Sequence, residues 1–517
     1  MKNQNPVIVG LDIGTTKIAA IAGRKNHFGK LEILGFGKSD SSGVNHGMVL
    51  NIEDCINAIK EAIDNCYLNN SNLEINEVYV GIAGQHIKSL QTTGQRAIQN
   101  VEEIVQQSDV NSLIKDQNAT FIPPGDEIID IIPQDFKIDE HGPFLVKEVV
   151  GMAGRRITAN FHIVTGDKNA IRNIQRCVKR SKLSIKGLEL QPLASAAAVM
   201  TPEDFEMGVA IIDIGGGTTD LAVFHDGMLK HTAVIPRAGV NITDDIRKGL
   251  GVLNAQAEIM KIKYGMALAN EASANAFISI PGMKGQKPKE ISVKNLANII
   301  QARMEEIFEF VQYHLIEQNL HDKLHAGVII TGGGSQLNHL VQLAEFQLGL
   351  PARIGYPNEH LAKHDEAELS KPMYATCIGL ILKGYDEYEN QLNISSSNIL
   401  KEFVTDVVEV VHTSILDTNS INDELGKVFG NDIFKPTEEF NVENITVENN
   451  TNQLENLFDI KLPENELISN IQQELNEPNS ISEGTVGKRK NYINKIFGTI
   501  QERLLDIFEG EGDNKLD

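Results

Sequence analysis

Up to about residue 385, hydrophobic positions alternate between short continuous runs and longer helical spacings. Between Asn51 and Tyr67, isoleucines recur every three or four positions, which predicts an amphipathic helix. The run from Val78 to Ile82 carries no charge and predicts a buried strand. This alternation of strands and helices is typical of an α/β fold.

Residues 85–164 interrupt the alternation. They are polar, contain turn-forming clusters at 123–125 and 141–143, and show few long helical periods. We predict that they form a subdomain inserted into the α/β region.

One short pattern occurs twice. Residues 7–19 read VIVGLDIGTTKIA, and residues 209–223 read VAIIDIGGGTTDLAV, the same strand, turn and strand with two extra glycines. Glycines in a tight turn permit positive φ and expose N–H groups that bind phosphate oxygens. An aspartate at the strand end can hold the water shell of Mg²⁺. Two such turns face to face would clamp a nucleoside triphosphate and its metal between two halves of the molecule.

Each turn could also be a simple hairpin, which needs the same residues, and for the first turn alone the simple hairpin is the favoured interpretation. Together they favour phosphate binding, and a third glycine turn at 328–337, VIITGGGSQL, supplies backbone against which a nucleoside could lie. Neither G-x-x-x-x-G-K-[ST] nor G-x-G-x-x-G after a strand occurs in the sequence.

Charge changes the picture further along the chain. The net charge is −23, and residues 385–484 hold about 21 Asp and Glu against about 4 Lys and Arg. Such a balance argues against a broad nucleic-acid-binding surface, so no nucleic-acid partner is expected. The 4 cysteines and 14 histidines show no metal-ligand spacing, so we assign no cysteine or histidine metal site and expect a reducing compartment.

The C-terminal part contains three different patterns. Apolar spacing at 397–416 predicts one helix, and residues 418–484, rich in Asn, Glu and Ser, predict a disordered tether. After the basic residues 488–490 comes one helical stripe of large apolar side chains. The stripe consists of Ile493, Ile496, Phe497, Ile500, Leu504, Ile507 and Phe508.

This stripe predicts a helix that lies on an anionic membrane surface. The alternative is a helix that packs on the body of the protein. The long preceding tether, the basic cluster and the shortness of the helix, which contains Gly498, favour the membrane. The polar N-terminus and the lack of an 18-residue apolar run predict neither a signal peptide nor a membrane span. We therefore expect a cytoplasmic protein that is anchored from the inside.

The three glycine turns resemble the two phosphate motifs and the adenosine motif of the actin, sugar-kinase and heat-shock-chaperone ATPase superfamily. Residues 191–196 (QPLASA) and 374–379 (YATCIG) resemble its two connecting helices. Within it, the chain is similar to the FtsA family of bacterial division proteins over about residues 6–384. The motifs that carry this similarity are GVNHGMVLNI at 43–52, VGIAG at 80–84, NITDDI at 241–246 and AEIMKIKYG at 257–265.

The resemblance implies an α/β, actin-like two-lobed ATPase fold with an inserted FtsA-type subdomain, then a disordered acidic tether and a C-terminal amphipathic helix. The implied domains are 1–84 with 165–195 (lobe 1, subdomain 1A), 85–164 (the insert, 1C), 196–240 with 318–384 (lobe 2, subdomain 2A), 241–317 (2B), 385–487 (acidic linker) and 488–517 (membrane-targeting helix).

The resemblance also implies a site for ATP and Mg²⁺. Asp12 and Asp213 would hold the metal through water, and the other residues would hold phosphates, ribose and adenosine. The implied nucleotide-binding residues are Asp12, Gly14, Thr15, Thr16, Lys17, Asp213, Gly215, Gly216, Gly217, Thr218, Thr219, Gly239, Glu258, Lys261, Gly332, Gly333, Gly334 and Ser335. Lys17 would be a cation near the phosphates, although the residue alone could be a solvated strand lysine. Glu258 and Lys261 would reach the ribose, although their spacing alone fits an ordinary surface ion pair.

The implied function is that of a protein that polymerises and binds the C-terminal tail of FtsZ. It would anchor FtsZ filaments to the cytoplasmic face of the membrane at the division septum and recruit later division proteins through the insert. The apolar spacing from Val293 to Leu315 predicts a helix whose core-facing positions are Leu296, Ile299, Ile300, Met304, Ile307 and Phe308. This leaves Lys294 and Arg303 as the predicted contacts for the FtsZ tail, although either residue alone could be an ordinary solvated basic side chain.

Gln191 stands where strong hydrolases of the superfamily position water, and glutamine is a poor base, so at most weak ATPase activity is expected. Ala238 and Gly239 stand where the family usually has two glycines, and alanine restricts the backbone near the γ-phosphate. Two alternatives remain: a PilM-type pilus-assembly ATPase, which would lack the tether and the terminal helix, and a small-molecule kinase, which would need a catalytic aspartate.

Overall fold

The computed structural model describes residues 5–70, 73–99, 103–139, 149–281, 287–362 and 366–391. The helix predicted at 397–416, the tether and the terminal stripe from Ile493 to Phe508 lie outside these residues. In chain order the strands are β1 (Ile8–Ile13), β2 (Lys17–Lys25), β3 (Leu31–Asp40), β4 (Val44–Asn45), β5 (Met48–Val49), β6 (Glu77–Ile82), β7 (Lys88–Ala97), β8 (Asp126–Ile138), β9 (Arg156–Asp167), β10 (Ser184–Leu190), β11 (Val209–Ile214), β12 (Thr219–His225), β13 (Met228–Ile235), β14 (Phe277–Ile280), β15 (Lys289–Ser292), β16 (Val328–Thr331) and β17 (Ala352–Ile354).

The helices accompany these strands as crossovers and covering layers. They are α1 (Ile52–Asn69), α2 (Gln107–Asp116), α3 (Lys168–Arg180), α4 (Gln191–Val199), α5 (Pro202–Met207), α6 (Gly239–Leu250), α7 (Asn254–Tyr264), α8 (Val293–Glu317), α9 (Leu340–Leu348), α10 (Glu366–Leu369) and α11 (residues 375–391). None of the described helices is both long enough and apolar enough to cross a bilayer.

Two five-stranded sheets of the same design form the two lobes. The strand order is β10-β6-β1-β2-β3 in lobe 1 and β13-β12-β11-β16-β17 in lobe 2. In each sheet the first strand of a hairpin, β1 or β11, is antiparallel to the next strand and parallel to a crossover strand, β6 or β16. The repeated sequence pattern therefore forms the same hairpin at the same place in both lobes.

The central strands are buried because helices cover both faces of each sheet. Every residue of β1 and of β11 is buried, as expected for strands with parallel neighbours in an α/β protein. Asn51 caps α1 by accepting hydrogen bonds from the backbone amides of Glu53 and Asp54, which fixes where this covering helix begins.

Helices α4 and α11 pack together between the two sheets. Their apolar side chains share one core with Ile8 from lobe 1 and Ile211 from lobe 2. A Cβ atom on Gly379 of α11 would lie 1.7 Å from the carbonyl oxygen of Ala194, so the two helices touch backbone to backbone. Glycine is required at this crossing, which holds the lobes together next to the repeated turns.

The inserted subdomain consists of α2 and a three-stranded antiparallel sheet in the order β7-β9-β8, between β6 and β10 in sequence. It has its own core, which includes Leu113 and Phe161. The insert contacts β13 of lobe 2, where Gln134 Nε2 donates to the carbonyl of Leu229 at 2.5 Å. The insert thus contacts both lobes, because Ile129 and Ile132 of β8 pack against the core of lobe 1.

Helix α8 is the long element of the region 241–317. Its predicted inward positions Leu296, Ile300, Met304, Ile307 and Phe308 are fully buried, and Ile299 is partly buried. The helical spacing read from the sequence therefore placed the buried face of α8 correctly.

Candidate nucleotide-binding site

The two repeated turns are closed by the same hydrogen bond. Gly14 N donates to Lys17 O at 3.0 Å, and Gly215 N donates to Thr218 O at 2.9 Å. A Cβ on Gly14 would lie 2.8 Å from the Lys17 oxygen, and one on Gly215 would lie 3.1 Å from the Thr218 oxygen. Glycine follows the D-I dipeptide in both turns because the closing carbonyl occupies the space of a side chain.

The structure brings the two turns into contact. A Cβ on Gly216 would lie 2.5 Å from Thr16 Cγ2, and one on Gly217 would lie 2.4 Å from Thr15 Oγ1. His46 Nδ1 also lies 2.7 Å from the carbonyl oxygen of Gly217. The extra glycines of the second turn are needed because the first turn is packed against them.

Backbone amides are available where the turns meet. Among the described residues, no acceptor is found for the N–H groups of Thr16, Gly216 and Gly217. Clustered N–H groups without acceptors form an anion-binding site, and phosphate oxygens are acceptors of matching charge. The turns therefore fit the phosphate groups of a nucleotide.

Each turn places one aspartate beside this cluster. Asp12 accepts a hydrogen bond from Gln191 Nε2 at 3.0 Å and pairs with Lys17 Nζ at 3.4 Å. The Lys17 ammonium also donates to the carbonyl of Met373 at 2.7 Å and lies over the ring of Tyr374. Lys17 is thus held close to the first turn rather than solvated.

Asp213 is surrounded by hydroxyl groups instead of a cation. Ser195 Oγ donates to Asp213 Oδ2 at 2.6 Å, and Thr376 Oγ1 donates to the same oxygen at 3.2 Å. Burial raises the pKa of Asp213, and the nearby charge of Asp12 raises this pKa further. Hydroxyl donors stabilise the carboxylate but leave its negative charge unbalanced.

A third carboxyl group lies close to these two aspartates. Asp220 is buried, burial and the charge of Asp213 raise its pKa well above the usual value, and its Oδ1 has no partner among the described residues. In the described part of the chain, no three acidic, histidine or cysteine side chains converge closely enough to ligate a metal directly. The acidic group therefore fits a divalent cation held through water by Asp12 and Asp213, with the nucleotide phosphates as its other ligands.

The third glycine turn packs directly on the second turn. Gly332 has φ of +83°, and a Cβ there would lie 2.3 Å from Asp213 Oδ1. Ser335 Oγ donates to the Gly332 carbonyl at 2.7 Å. A Cβ on Gly333 would meet no atom within 4 Å, so the tip of this turn faces open space, whereas Gly334 packs against Ile214. After this turn, Gly333–Gln336 forms a 3₁₀ turn, and α9 begins at Leu340.

Helices α6 and α7 close the other side of the second turn. Gly239 N and Val240 N donate to the carbonyls of Gly215 and Gly216 at 3.2 and 2.8 Å. Ala238 has φ of −165°, an extended conformation that alanine adopts without strain. The alanine therefore fits the backbone at this position.

The predicted ribose pair lies next to this junction. Lys261 Nζ lies 2.8 Å from Glu258 Oε2, 2.8 Å from Thr243 Oγ1 and 2.9 Å from the Gly239 carbonyl. This arrangement anchors α7 to the start of α6, beside the second turn. Thr218 and Thr219 lie inside the turn, where Thr218 donates to Asp220 at 3.1 Å and Thr219 donates to the Arg237 carbonyl at 2.7 Å.

The two residues predicted to contact the FtsZ tail lie away from the turns, on α8. Lys294 is exposed near the start of the helix. Arg303 is partly buried and pairs with Asp245 at 2.6 Å and with Glu306. Its guanidinium is therefore already engaged by two carboxylates.

Sequence reasoning did not assign site roles to four of the residues described above. Ser195 and Thr376 occur in the two connecting-helix motifs, His46 in the motif at 43–52, and Asp220 in the second turn motif. Each of the four stands out in the sequence only as a polar residue within an otherwise apolar or glycine-rich motif. The partner that gives it a role can lie far along the chain, and the partner of His46 lies 171 positions away. Only the fold identifies such partners.

Comparison with known proteins gives consistent matches. The model of the family described as cell division protein FtsA matches residues 210–379, and that of the SHS2 domain inserted in FTSA matches residues 84–165. The cell division protein FtsA of Pseudomonas aeruginosa is 38% identical over 391 residues, which cover 76% of this chain and 92% of the relative. That of Neisseria meningitidis serogroup B is 39% identical over 382 residues (74% and 91%), and that of Escherichia coli K12 is 32% identical over 392 residues (74% and 91%).

Among solved structures, the PilM-PilN type IV pilus biogenesis complex superposes with a TM-score of 0.53 at 16% identity, covering 73% of this chain and 98% of that chain. At this identity the likeness concerns the fold alone. Together, these matches confirm the predicted actin-like two-lobed α/β fold with an inserted subdomain.

Proposed function

The chain belongs to the FtsA family of cell division proteins, and from this premise we propose that it binds ATP with Mg²⁺, polymerises, and anchors FtsZ filaments to the membrane. The observation that carries the nucleotide part is the contact between Thr16 of lobe 1 and Gly216 of lobe 2, where backbone amides have no acceptor among the described residues. A ligand with several phosphates is the class of molecule that such a junction fits.

In this proposal the phosphates lie on the glycine turns around Gly14 and Gly216, and Asp12 and Asp213 hold the hydrated Mg²⁺. Bound Mg²⁺ neutralises phosphate charge and polarises the terminal phosphoryl group. Lys261 and Glu258 contact the ribose, and the turn 332–335 lies along the adenosine. Because the two turns belong to different lobes, a nucleotide that contacts both restrains the lobes in one arrangement. Such restraint favours self-association into a polymer.

We expect hydrolysis to be slow. Gln191 Nε2 donates to Asp12 at 3.0 Å, so the amide is oriented at the first turn but cannot accept a proton from water as a carboxylate would. ATP then acts mainly as a ligand that controls assembly.

The FtsZ tail is proposed to bind the region 241–317. Lys294 is the better placed of the two predicted contacts, because its ammonium is exposed on the first turn of α8. Arg303 would have to exchange Asp245 or Glu306 for the peptide. The insert is the proposed surface for recruiting later division proteins.

The membrane anchor is proposed to be the helix of residues 488–517, inserted by the stripe from Ile493 to Phe508. A single short amphipathic helix binds a membrane weakly and reversibly, whereas a polymer of many copies binds tightly through avidity. The protein would therefore lie on the cytoplasmic face of the membrane at the division septum when it is assembled.

The alternatives are less well supported. The PilM complex shares the fold at 16% identity, whereas FtsA relatives share 32–39% identity over most of the chain. A small-molecule kinase has no use for the terminal apolar stripe.

The test is co-sedimentation of the full chain with anionic liposomes and FtsZ, with and without Mg·ATP. We expect ATP to increase sedimentation of both proteins, and an Ile496→Glu, Phe497→Glu variant to leave the liposomes while keeping its ATP affinity. Gly216→Val should abolish ATP binding, because its side chain would overlap Thr16. Unchanged ATP affinity in an Asp213→Ala, Gly216→Val double variant would refute the nucleotide site, and several ATP turnovers per second in dilute monomer would refute the slow-hydrolysis proposal.

A further inference from the structure

Helix α3 and the residues that follow it concentrate positive charge in a chain that is otherwise acidic. Residues 168–186 contain seven Lys and Arg and no Asp or Glu, whereas the whole chain carries a net charge of −23. This segment joins the insert to the edge strand β10 of lobe 1. None of the roles proposed above uses it.

The fold presents most of these charges on one side of lobe 1. Ile171, Ile174, Cys177 and Val178 of α3 point into the core, and the basic side chains on the other side are exposed. We call this exposed set the α3 basic face. It consists of Lys168, Arg172, Arg176, Lys179 and Lys182.

The charges of the α3 basic face are not neutralised by neighbours. Arg180 pairs with Glu53 at 2.7 Å and Lys186 with Glu77 at 3.5 Å. For the five members of the face, no carboxylate of the described residues lies within ion-pair distance. Arg176 donates a hydrogen bond to the neutral side chain of Asn173 at 3.4 Å.

The shape of the face distinguishes between acidic partners. A 13-residue helix is about 20 Å long, and cations spaced along its outer surface match an extended plane of negative charge. A bound peptide would need apolar anchor residues in a pocket, but the exposed positions of α3 between Arg172 and Lys179 are polar. Anionic lipid headgroups provide such a plane, and each basic residue near them adds to attraction.

The α3 basic face lies at the edge of the lobe 1 sheet that the last described helix, α11, also reaches. Helix α3 ends at the edge of the sheet where β6 and β10 begin, since Ser184 pairs with Glu77. The last turns of α11 reach the same edge on the opposite face of the sheet, where Glu389 pairs with Lys25 at 2.7 Å. The described residues end at this edge, at residue 391.

We propose that the α3 basic face is a second lipid contact, which binds anionic headgroups and turns this side of lobe 1 towards the membrane. The inference rests on the proposed membrane anchoring and adds a contact made by the folded lobe. In this inference the terminal helix inserts into the membrane, and α3 orients lobe 1 against the membrane surface.

The test measures binding of the full chain to vesicles of phosphatidylcholine with about 30 mol% phosphatidylglycerol, and to pure phosphatidylcholine. The variant Arg172→Gln, Arg176→Gln, Lys179→Gln should bind anionic vesicles at least about tenfold more weakly and neutral vesicles unchanged. The difference should disappear in about 1 M salt, where the Debye length is about 3 Å. A matched control, Lys115→Gln, Lys263→Gln, Lys287→Gln, removes the same charge from exposed positions elsewhere and should bind like the wild type.

The outcomes separate this inference from the anchor. If the α3 variant binds like its control while Ile496→Glu, Phe497→Glu abolishes binding, the anchor stands and the α3 contact is wrong. If only the α3 variant loses binding, the α3 contact stands and the anchor is wrong. If the α3 variant loses affinity for soluble polyglutamate but not for vesicles, the face serves an acidic protein and the lipid contact is overturned. Single variants Arg172→Gln and Arg176→Gln, each with an unchanged melting temperature and a smaller loss, exclude misfolding as the cause.

Discussion

The aspartates of the two turns occupy equivalent positions in equivalent hairpins, yet their surroundings differ. Asp12 is paired with Lys17 at 3.4 Å and receives a hydrogen bond from Gln191. Asp213 receives two hydroxyl hydrogen bonds, from Ser195 and Thr376, and no cation of the described residues reaches it. The protein thus places a positive charge beside the carboxylate of Asp12, whereas it supplies only hydrogen bonds to the carboxylate of Asp213.

This difference indicates where a bound cation contributes most. An uncompensated buried carboxylate raises the free energy of the folded state, and a cation that approaches it removes that cost. The raised pKa of Asp213 reports this cost. A Mg²⁺ ion between the turns should therefore depend more on Asp213 than on Asp12, although both belong to the same repeated motif.

The largest effect should come from Gly332, which packs against Asp213 and the backbone of Ile214. In Gly332→Val, the side chain would overlap Asp213 Oδ1 and the backbone would be strained at φ of +83°. We expect a loss of about 2–4 kcal/mol of unfolding free energy and at least about 100-fold weaker ATP binding. Urea unfolding and ATP titration measure both. The control Gly333→Ala, whose Cβ meets no atom within 4 Å, should leave the free energy of unfolding near the wild-type value.

Exchanging each aspartate for asparagine tests the comparison directly. Without nucleotide, Asp213→Asn removes an unbalanced buried charge and should not destabilise the fold, whereas Asp12→Asn leaves the Lys17 ammonium without its counterion and should cost about 1 kcal/mol. With Mg·ATP, Asp213→Asn should lose about tenfold or more in affinity. Thermal melts and titrations at several Mg²⁺ concentrations provide the measurements. Equal behaviour of the two variants in both assays would show that the asymmetry has no energetic meaning.

The pH dependence of stability should separate the two aspartates by a smaller amount. Because the pKa of Asp213 is raised in the folded state, the folded protein holds its proton more tightly than the unfolded chain. At low pH the Asp213 side chain is protonated in both states and lowers the free energy of unfolding little. As pH rises above about 3.8 towards the folded pKa of Asp213, this side chain lowers the free energy of unfolding progressively. Chemical denaturation from about pH 4 to about pH 8 should show Asp213→Asn gaining on the wild type as pH rises. Added Mg²⁺ should reduce that gain, and a constant difference across this range would contradict the assignment.

The smallest effects should come from substitutions at the start of α6, where the helix packs against the second turn. Ala238→Gly should change stability by at most about 0.5–1 kcal/mol and leave ATP affinity unchanged, because the extended backbone at Ala238 does not need glycine. Gly239→Ala should weaken ATP binding a few-fold, because its Cβ would lie 3.3 Å from Gly215 O and 3.4 Å from Lys261 Nζ. The pair of variants is compared by ATP titration. A larger loss in Ala238→Gly than in Gly239→Ala would reverse this interpretation.

Much of the fold followed from local patterns. The repeated D-I-G turns, the helix after Asn51 and the buried face of α8 depend on glycine, capping and apolar spacing, which act over a few residues. The family motifs added the order of the lobes and the place of the insert. The role of Arg303 stays a prediction, and the structure adds that Asp245, 58 positions away, already engages it.

The sequence by itself determined the two turns. Each turn needs a glycine because the closing carbonyl occupies the space of a side chain, and this local requirement is met by Gly14 in the first turn and by Gly215 in the second. Only the tertiary structure decided how the two turns differ. Ser195 lies 18 positions from Asp213 and Thr376 lies 163 positions from it, and α4 and α11 bring both hydroxyls to one carboxylate. Lys17 instead reaches Asp12 within its own hairpin. The charge balance of a buried group depends on every element packed around it, so two similar motifs acquire different chemistry when different side chains surround them.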